Sequence, residues 1–590
     1  MRTSKQSALV AVLALAGLAL ASCQAAEPRD PNRVSLTLSL GLEELQQSLV
    51  FQQMTHFRLK ILGEPTSNPN SKVIFDSNCL KYEGDNFEIQ DIEAGDGRVV
   101  FFEGFEDSSC TKRVLVGARG GLSIKNPVPT EGFYYMHVAP VEQFSLMPTP
   151  NPTFVASINK TPCQTNAECE GFDGAAYCRA PGNTCHLETY YPLNLATRRA
   201  FHQAAELDNG MIVFTGGFTA PSAADKEQFL TTERIEVFNP LTMLFERKDG
   251  LSDSTPAGYA LHGLVKFDGN KIANIGGFNQ ARWRLAGDRV DLLPSVPTAG
   301  CTNNKCLLDT VSIFDIGRST YVGNSLPLPL GMPLAGLVKD ASTPTILLGS
   351  GFTSSQTAPV SNQVYACDFT GTSQNCTRTA YTLGARRRGA ALFCRTANGN
   401  GCDDYVVLGG NLLSDANVPL LEGIDVKNNT KYAITPAGDA PTTLTGATVV
   451  NVDGTFYVFG GVDEKKSGNP NVPPMKLTFN GATATFTKLT LTGVDEKKTY
   501  RVYHTATVLK DGRVLLIGGL DDQRRPTASA LVFIGDKYSR EVMLNVARFG
   551  HSVSTLRTGL IPNALLIVGG FNTDGGALGA IGAAELFVTQ

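Results

Sequence analysis

Four of the seven histidines recur at one position of a repeated pattern, and they are the residues best able to do chemistry. They are His202, His262, His504 and His551. Imidazole nitrogens are common ligands of zinc and copper, so one hypothesis is a ring of imidazoles that holds a metal ion. The favoured alternative is repeat structure, in which the histidine recurs because each repeat uses it in the same packing position.

Three arginines accompany these histidines at a constant spacing. Arg199, Arg501 and Arg548 each stand three residues before a repeated histidine. A guanidinium group binds a carboxylate through two parallel hydrogen bonds, so these arginines are candidates for binding carboxylates or acidic sugars. The favoured alternative pairs them with acidic side chains between neighbouring repeats. The run 386–388 (RRR) enters a further repeat at the corresponding place and fits either a basic patch or a solvated turn.

A second candidate for binding lies in the longest insert of the repeat region, 279–308. Trp283 is the only tryptophan of the chain, and Arg282 and Arg284 flank it. Tryptophan and arginine are enriched among the residues that dominate binding energy at interfaces. The insert is therefore predicted to supply a contact anchor, although an ordinary packed loop explains the same residues.

These residues belong to a pattern that recurs seven times. A short strand is followed by a turn and then by an apolar strand that ends in a glycine doublet, which the third copy replaces with Gly349-Ser350-Gly351. Doublets recur about every 50 to 75 residues, a period that indicates radial or solenoidal repetition. The seven copies span 201–218, 261–278, 334–352, 389–411, 446–462, 503–520 and 550–571.

With its glycine doublets and frequent R-x-x-H entry, the region resembles kelch repeats. The resemblance covers some 400 residues, 187–590, and departs in lacking the family's usual downstream Tyr and Trp; Phe238 and Phe245 fill comparable places. It implies a seven-bladed β-propeller of four-stranded blades. The last repeat contains a third strand and no fourth, so we expect an N-terminal strand at 189–194 to close the ring.

The kelch resemblance also bears on activity. In kelch repeats the repeated histidine packs at the entry of the inner strand. Galactose oxidase has a similar propeller and uses copper with two His, two Tyr and a Cys-linked Tyr, but the cysteines of this repeat region can pair with one another. A sialidase would need repeated Asp-box turns that contain Trp, and Trp283 stands alone. No cofactor is expected, and kelch-type mutarotases stay open as an alternative.

The N-terminus has the pattern of an export signal. Residues 1–22 combine the positive Arg2 and Lys5 with an apolar stretch at 8–20. The following Leu20-Ala21-Ser22-Cys23 resembles the lipobox of bacterial lipoproteins, which implies cleavage before Cys23 and lipidation of its thiol. Gln24 after the cysteine favours the outer membrane by the same resemblance. An ordinary secretory signal, cut after Ala21, is the alternative.

The cysteines agree with export. Removing Cys23 from the thirteen leaves an even number, as a disulfide-bonded protein requires. No Cys-x-x-Cys or Cys/His spacing indicates a metal site. Neighbouring cysteines are predicted to pair: Cys79 with Cys110, Cys301 with Cys306, Cys367 with Cys376, and Cys394 with Cys402 across the turn between two strands of one repeat. The other predicted disulfide cysteines are Cys163, Cys169, Cys178 and Cys185. Within the four of 163–185 three pairings are possible, and first-to-third with second-to-fourth is favoured.

Four segments precede the propeller. A polar tether, 23–32, leads to short alternating strands at 33–147, which indicate an Ig-like β-sandwich. A Pro-rich linker, 148–162, follows. The Cys-rich module 163–186 resembles the EGF-like or dickkopf-like units of exported proteins, and we expect a rigid spacer.

Charge and hydropathy argue against a nucleic-acid partner and against a membrane-spanning segment after the signal. Basic and acidic residues number 51 and 55, which gives no reason to expect nucleic acid. No stretch after the signal is long and apolar enough to span a membrane. The sequence therefore predicts a lipid-anchored envelope protein that binds an envelope protein or glycan without catalysis. A carbohydrate-binding module and a carbohydrate-active enzyme are the alternatives.

Overall fold

The computed structural model describes most of the chain, and nearly all of its regular structure is β-strand. A 3-10 helix, Glu496–Thr499, precedes the sixth repeat. In the part of the chain that the structure describes, no helix is long and apolar enough to cross a membrane. The described residues are 11–15, 33–39, 52–63, 72–83, 86–124, 132–147, 176–179, 184–187, 193–248, 258–295, 306–340, 344–353, 361–370, 373–410, 419–466, 471–573 and 576–590.

The N-terminal part consists of a sheet and two strand pairs. The sheet has the order β10-β8-β7-β3-β4, with β5 also on β3, and the pairs are β2–β6 and β1–β9. β1 falls within the predicted signal peptide and so belongs to the unprocessed chain. The strands are β1 (Ala11–Leu15), β2 (Arg33–Ser39), β3 (His56–Leu62), β4 (Val73–Asp76), β5 (Leu80–Lys81), β6 (Asn86–Glu93), β7 (Gly95–Phe105), β8 (Arg113–Ile124), β9 (Gly132–Met136) and β10 (Val138–Pro140).

Both faces of this sheet are buried, which explains the uninterrupted apolar run at its centre. Successive side chains of a strand point to opposite faces. On β7, Val100 and Phe102 pack in a core with Val34 and Ile89 of the β2–β6 pair. Val99 and Phe101 face the other way, into a core shared with the repeat region. The N-terminal sheet is therefore packed directly against the repeats.

The described strands from residue 144 onward include seven four-stranded antiparallel sets. Set 1 consists of β14 (Gln203–Glu206), β15 (Ile212–Thr215), β18 (Glu236–Asn239) and β19 (Leu244–Arg247); set 2 of β20 (Gly263–Phe267), β21 (Lys271–Ile275), β25 (Thr310–Asp315) and β26 (Thr320–Ser325); and set 3 of β27 (Leu334–Lys339), β28 (Thr345–Gly349), β29 (Gln363–Thr370) and β30 (Ser373–Thr382). Set 4 consists of β31 (Ala391–Asn398), β32 (Gly401–Leu408), β33 (Leu421–Asp425) and β34 (Thr430–Gly438), and set 5 of β35 (Thr448–Val452), β36 (Thr455–Phe459), β37 (Met475–Asn480) and β38 (Thr483–Lys488). Set 6 consists of β39 (Thr505–Val508), β40 (Val514–Ile517), β41 (Ser529–Ile534) and β42 (Lys537–Met543), and set 7 of β43 (Ser552–Thr555), β44 (Leu565–Val568), β47 (Ala584–Phe587) and β11 (Phe144–Leu146).

Short extra strands lie outside these sets. β16, β17 and β22 form a three-stranded sheet, and the other three are two-stranded pairs, β12–β13, β23–β24 and β45–β46. Their bounds are Ala176–Arg179 and Thr184–Leu187 (β12, β13), Phe218–Pro221 and Gln228–Thr231 (β16, β17), Gln280–Arg282 (β22), Leu285–Ala286 and Arg289–Val290 (β23, β24), and Phe571–Asn572 and Gly579–Ala580 (β45, β46).

The sets follow one another around a closed ring. The second residue of each glycine doublet donates its backbone N–H to a carbonyl at the entry of the next set, as Gly217 does to Tyr259 at 2.7 Å. Set 7 leads back to set 1, because Gly570 donates to the Arg199 carbonyl at 2.8 Å. The first strands of consecutive sets lie side by side. We call the end of the ring that carries the doublets the doublet end, and the opposite end the turn end.

The strand that completes set 7 differs from the expected one. Phe144–Leu146 pairs with Ala584–Phe587 and fills the place assigned to 189–194. Phe144 packs on Phe587 with ring centroids 4.9 Å apart, which favours this strand. Of the predicted segment, 189–192 lies outside the described residues. Asn194 is not in a strand, and its Oδ1 accepts from the Ala584 N–H at 2.8 Å.

The segment between this closing strand and set 1 is therefore an insertion rather than a spacer in series. Both of its ends lie at the same place, because Asn194 Nδ2 donates to the Met147 carbonyl at 3.3 Å. The predicted linker 148–162 and most of the predicted module 163–186 lie outside the described residues. The chain leaves the ring after Met147 and returns beside it.

Sets 4 and 5 are joined into one eight-stranded, nearly closed sheet. Their outer strands, β34 and β38, pair in parallel, with Thr435 opposite Thr483 and Gly438 opposite Phe486. Outer strands of consecutive sets run in the same direction, so only parallel pairing can join them. This contact covers two strand edges that would otherwise be exposed.

Three predicted disulfides are confirmed: Cys79–Cys110, Cys367–Cys376 and Cys394–Cys402. The last of them joins β31 to β32 across their turn, as predicted. Cys306 is also disulfide-bonded. Its predicted partner Cys301, and Cys23, Cys163 and Cys169, lie outside the described residues. Cys178 and Cys185 stand opposite each other in the β12–β13 register, and the pairing of the four module cysteines stays a prediction.

Candidate functional site at the doublet end

The glycine doublets adopt backbone conformations that few other residues tolerate. The first residue of each doublet has a φ between +57° and +69°, and the second a φ between +91° and +109°. An L-residue with a Cβ reaches the first region at modest cost but rarely the second. This difference explains why Ser350 can stand in the first position of the third doublet, where its hydroxyl donates to the Arg387 carbonyl at 2.7 Å.

Arginines at equivalent positions hold four of the seven doublets to their own sets. Arg199 donates from Nη1 to the Gly216 carbonyl at 2.9 Å and from Nη2 to the Glu236 carboxylate at 2.5 Å. The same two bonds join Arg387 to Gly409 and Glu422, and Arg548 to Gly569 and Glu585. Each ion pair forms within one set, between the entry segment and the third strand, and not between neighbouring repeats as expected.

Arg501 makes the equivalent two contacts, but its side-chain partner is a neutral hydroxyl group. Its Nη1 donates to the Gly518 carbonyl at 2.9 Å, and its Nη2 donates to the Ser529 hydroxyl at 2.8 Å. Burial lowers the pKa of Arg501 to about 10. Arg199, Arg501 and Arg548 are 0%, 2% and 0% exposed. The predicted binding of carboxylates or acidic sugars by these three is therefore corrected to a role inside the fold.

The four repeated histidines also lie inside the ring, between neighbouring sets. Hydrogen bonds join His202 Nε2 to Ser552 Oγ at 2.7 Å and His551 Nε2 to Thr505 Oγ1 at 3.0 Å. His262 Nε2 bonds Thr215 Oγ1 at 3.0 Å in the same way. Each bond reaches from one set to the set before it, so these imidazoles pack the interfaces between sets.

Burial keeps the four imidazoles neutral. It lowers the pKa of His262 and His504 to about 3. Burial, together with the neighbouring Arg199 and Arg548 guanidinium groups, holds the pKa of His202 and His551 well below the ordinary value. Within the described ranges, no three His, Cys, Asp or Glu side chains converge as a metal site would require. The packing interpretation of the histidines is the one that this geometry supports.

Trp283 is a core residue and not an exposed anchor. It is 1% exposed, and it stacks on Phe201 with ring centroids 4.6 Å apart and planes inclined by 14°. Tyr503 and Phe549 pack edge-on against it at 5.8 and 6.3 Å. The predicted contact through Trp283 is therefore corrected to the alternative, a packed loop.

Trp283 completes an aromatic cluster that sequence reasoning missed. The cluster, which we call the aromatic plug, consists of Phe201, Phe218, Phe229, Phe278, Trp283, Phe352, Tyr503, Phe549 and Phe571. The signal was present in the sequence, because Phe218, Phe278 and Phe571 each follow a glycine doublet directly. A ring brings these equivalent positions to one place.

The segment 279–295, which we call the cover segment, lies over the aromatic plug and is bonded to other sets. The Trp283 backbone N–H donates to the Glu227 carbonyl at 2.7 Å, in the loop of set 1. The Val290 N–H donates to the Arg524 carbonyl of set 6 at 3.0 Å. The Tyr503 hydroxyl donates to the Leu292 carbonyl. The cover segment thus ties sets 1, 2 and 6 together at the doublet end.

The remaining arginine candidates have different environments. Arg282, at 43% side-chain exposure, pairs with Asp225 at 3.3 Å and Glu227 at 3.0 Å, whereas Arg284 is exposed. In the run 386–388, Arg386 is exposed, Arg387 is buried, and the Arg388 guanidinium lies 5.2 Å above the Phe352 ring. The run therefore does not act as one patch.

Two open clefts lie away from the doublet end. One of about 470 Å³ at the turn end, between sets 3 and 4, is lined by residues that include Asp340, Asn400 and Asp403. The other, of about 710 Å³, lies where the N-terminal sheet meets the last residues and is lined in part by Arg113 and Gln590. Neither brings together side chains arranged for catalysis.

Comparisons with known proteins add no evidence about the role of this site. A scan against protein-family models and a search of curated proteins found no match to this chain.

Proposed function

We propose that the seven sets are the blades of a kelch-type β-propeller. The ring of doublet hydrogen bonds, which returns from Gly570 to Arg199, supports this architecture. The order of strands within each set, from the first at the centre to the fourth outside, supports it as well. Ahead of the propeller we propose an Ig-like β-sandwich, because the β2–β6 pair shares a core with the larger sheet.

The chain is exported and lipid-anchored in this proposal. The three described disulfides support an oxidising compartment. The lipobox-like segment before Cys23 supports an acylated N-terminus and an outer-membrane location. Replacing Cys23 with Ala is expected to abolish incorporation of labelled palmitate and to release the protein from membranes. Retention of both label and membrane association in the variant would contradict this proposal.

The propeller acts as a non-catalytic scaffold that binds an envelope protein. One observation carries this proposal. The side chains most suited to chemistry, the repeated His and Arg, are buried inside the ring, where they pack between sets or make hydrogen bonds and ion pairs. What the doublet end offers to solvent is the rigid, loop-built surface of the cover segment. Function on such scaffolds commonly resides in the connecting loops.

The test uses the mature ectodomain, beginning at Gln24, on immobilised envelope fractions. Binding that protease treatment of the fractions abolishes supports a protein partner. Binding that survives protease overturns it in favour of a polysaccharide, and a metal analysis and a sugar-turnover assay would then test the carbohydrate-active alternative. Crosslinkers placed on exposed positions of the cover segment locate the contact in the first case.

A further inference from the structure

The cover segment contains a two-faced hairpin. Leu285 stands opposite Val290, and Ala286 opposite Arg289. Side chains alternate between the faces of a strand, so Trp283, Leu285 and Val290 share the inner face. Trp283, which belongs to the aromatic plug, and Val290, which is part of the same core cluster, are each 1% exposed. Arg284 and Arg289 share the outer face and are exposed.

The hairpin is held rigidly, so its outer face is a preformed surface. The Trp283 indole N–H donates to the Asp291 carbonyl at 2.9 Å, and the Asp291 backbone N–H donates to the Arg284 carbonyl at 3.1 Å. Together with the bonds to Glu227 and Arg524 described above, these fix both strands. A preformed surface loses little conformational entropy on binding.

Three of the described acidic residues around the hairpin are already paired with other arginines, and the fourth, Asp291, stands opposite Arg284 without an ion pair to it. Arg282 holds Asp225 and Glu227, and Arg525 pairs with Asp288. Among the residues that the structure describes, no ion pair within 4.0 Å joins Arg284 or Arg289 to a carboxylate. Two guanidinium groups with free donors therefore face solvent at the centre of the doublet end.

We infer that Arg284 and Arg289 form a docking site for an extended acidic segment of a protein partner. They occupy diagonal positions of the hairpin, where side chains start about 7 Å apart. Carboxylates at alternate positions of an extended chain are separated by nearly the same distance, about 7 Å. Each guanidinium can then bind one carboxylate through two hydrogen bonds. This inference rests on the proposed function and adds the chemistry of the partner.

A peptide fits this surface better than an acidic polysaccharide does. Sugar rings are commonly bound by stacking on an exposed aromatic side chain. The hairpin's own aromatic residue, Trp283, faces inward and is committed to Phe201. Its outer face carries Arg284, Arg289, Asp291 and the small Ala286, so the two guanidinium groups can pair with carboxylates of an extended peptide that lies over Ala286.

The experiment measures binding of a fluorescein-labelled Glu-Ser-Glu-Ser-Glu peptide to the ectodomain by fluorescence anisotropy. The variant is R284E/R289E. The matched control, R318E/K537E, makes the same charge change at exposed turns of the turn end. We expect the variant to bind at least about tenfold more weakly than wild type and the control to bind as wild type does. The peptide with Gln for Glu tests the need for charge.

Trp283 supplies a second readout because it is the chain's only tryptophan and lies beneath Arg284. Unchanged emission of the free variant establishes that the plug is intact. Equal peptide binding by the variant and the control, or equal binding of the Glu and Gln peptides by wild type, would overturn the inference. Polygalacturonate serves as the acidic polysaccharide probe in the same assay, and a variant that loses polygalacturonate binding but keeps peptide binding would also overturn it. If R284E/R289E still captures an envelope protein, the inference fails while the proposed scaffold function stands.

Discussion

At the residue scale, the second glycine of each doublet connects the conformation of one residue to closure of the whole ring. Its N–H makes the bond to the next set, and its φ near +100° is what aims that N–H outward from the strand. A side chain at this position strains the backbone and meets neighbouring atoms. The first position is more permissive, as Ser350 demonstrates.

Replacing Gly519 with Ala is therefore expected to lower the free energy of unfolding by about 2–3 kcal/mol. Its φ is +97°, and an added Cβ would lie 2.9 Å from the Val502 carbonyl oxygen. The matched control is Gly481→Ala, at φ +58° with open space around the new Cβ, and we expect a loss of about 1 kcal/mol. Denaturant unfolding measures both; equal losses would contradict this explanation.

The buried histidines make stability depend on pH. Their folded pKa values lie below the unfolded value of about 6.5, so the unfolded chain binds protons first as pH falls. Stability is therefore full above about pH 6.5 and declines below it. Each such histidine contributes a slope of about 1.4 kcal/mol per pH unit down to its folded pKa.

His504→Gln removes one of these protons, because glutamine does not titrate. We expect the slope of unfolding free energy between about pH 6 and pH 4 to decrease by about 1.4 kcal/mol per pH unit. The folded pKa of His504, about 3, lies below this window. The half-exposed His56 supplies the matched control, His56→Gln. A wild-type slope in the His504 variant, measured by urea unfolding across pH, would argue against this account.

At the element scale, the closing strand decides which fragment can fold. Phe144–Leu146 completes set 7, yet it precedes the predicted propeller boundary at 187 by some 40 residues. A strand missing from the last set exposes the edge of Ala584–Phe587 and the buried Phe587 ring.

A chain that begins at residue 187 is accordingly expected to aggregate or to lose cooperative unfolding. The matched control keeps 33–148, excises 149–191 and joins the ends with a short Gly/Ser linker. Because Met147 and Asn194 are bonded at 3.3 Å, this linker can be short, and the control should unfold at nearly the wild-type temperature. Size-exclusion chromatography and thermal unfolding decide; a monomeric, cooperative 187–590 fragment would contradict the closure.

At the scale of the whole molecule, Glu142 clamps the N-terminal sheet to the ring. Its carboxylate accepts from Arg513 Nη1 and Nη2 at 2.6 and 2.8 Å and also pairs with Arg540. Burial alone would raise the pKa of Glu142, but the two arginines and the Gln590 N–H hold it below its ordinary value. The clamp therefore stabilises the folded chain above about pH 4.5, and this contribution disappears as pH falls through the folded pKa.

Glu142→Gln is expected to cost about 1–3 kcal/mol at neutral pH, since it removes the charge partner of Arg540 and leaves Arg513 with Asp511 alone. The control is Glu83→Gln in the exposed Lys81–Glu83 pair, where we expect less than about 0.5 kcal/mol. Thermal unfolding at pH 7 and at pH 3 measures both variants. The deficit of Glu142→Gln should shrink at pH 3; a deficit of the same size at both pH values would point to lost packing instead.

The sequence by itself determined the elements of this protein. Seven doublets, the apolar strands before them and the pairs of strands after them are local patterns, and the strands occur where these patterns place them. The hairpin disulfide Cys394–Cys402 was also local, because its cysteines flank one turn. The interpretation of the repeated histidines as packing residues rested on the same repetition.

Only the tertiary structure decided how distant positions meet. The local sequence does not show whether Trp283 points inward, because the aromatic plug that it packs against is built from four other sets, 1, 3, 6 and 7, as well as its own. Arg199 and Glu236 are 37 positions apart, and their pairing depends on two strands lying side by side. The closing strand was misplaced because Phe144–Leu146 and 189–194 are both short segments that precede the first repeat. The choice between them depends on where the packed N-terminal sheet places the chain.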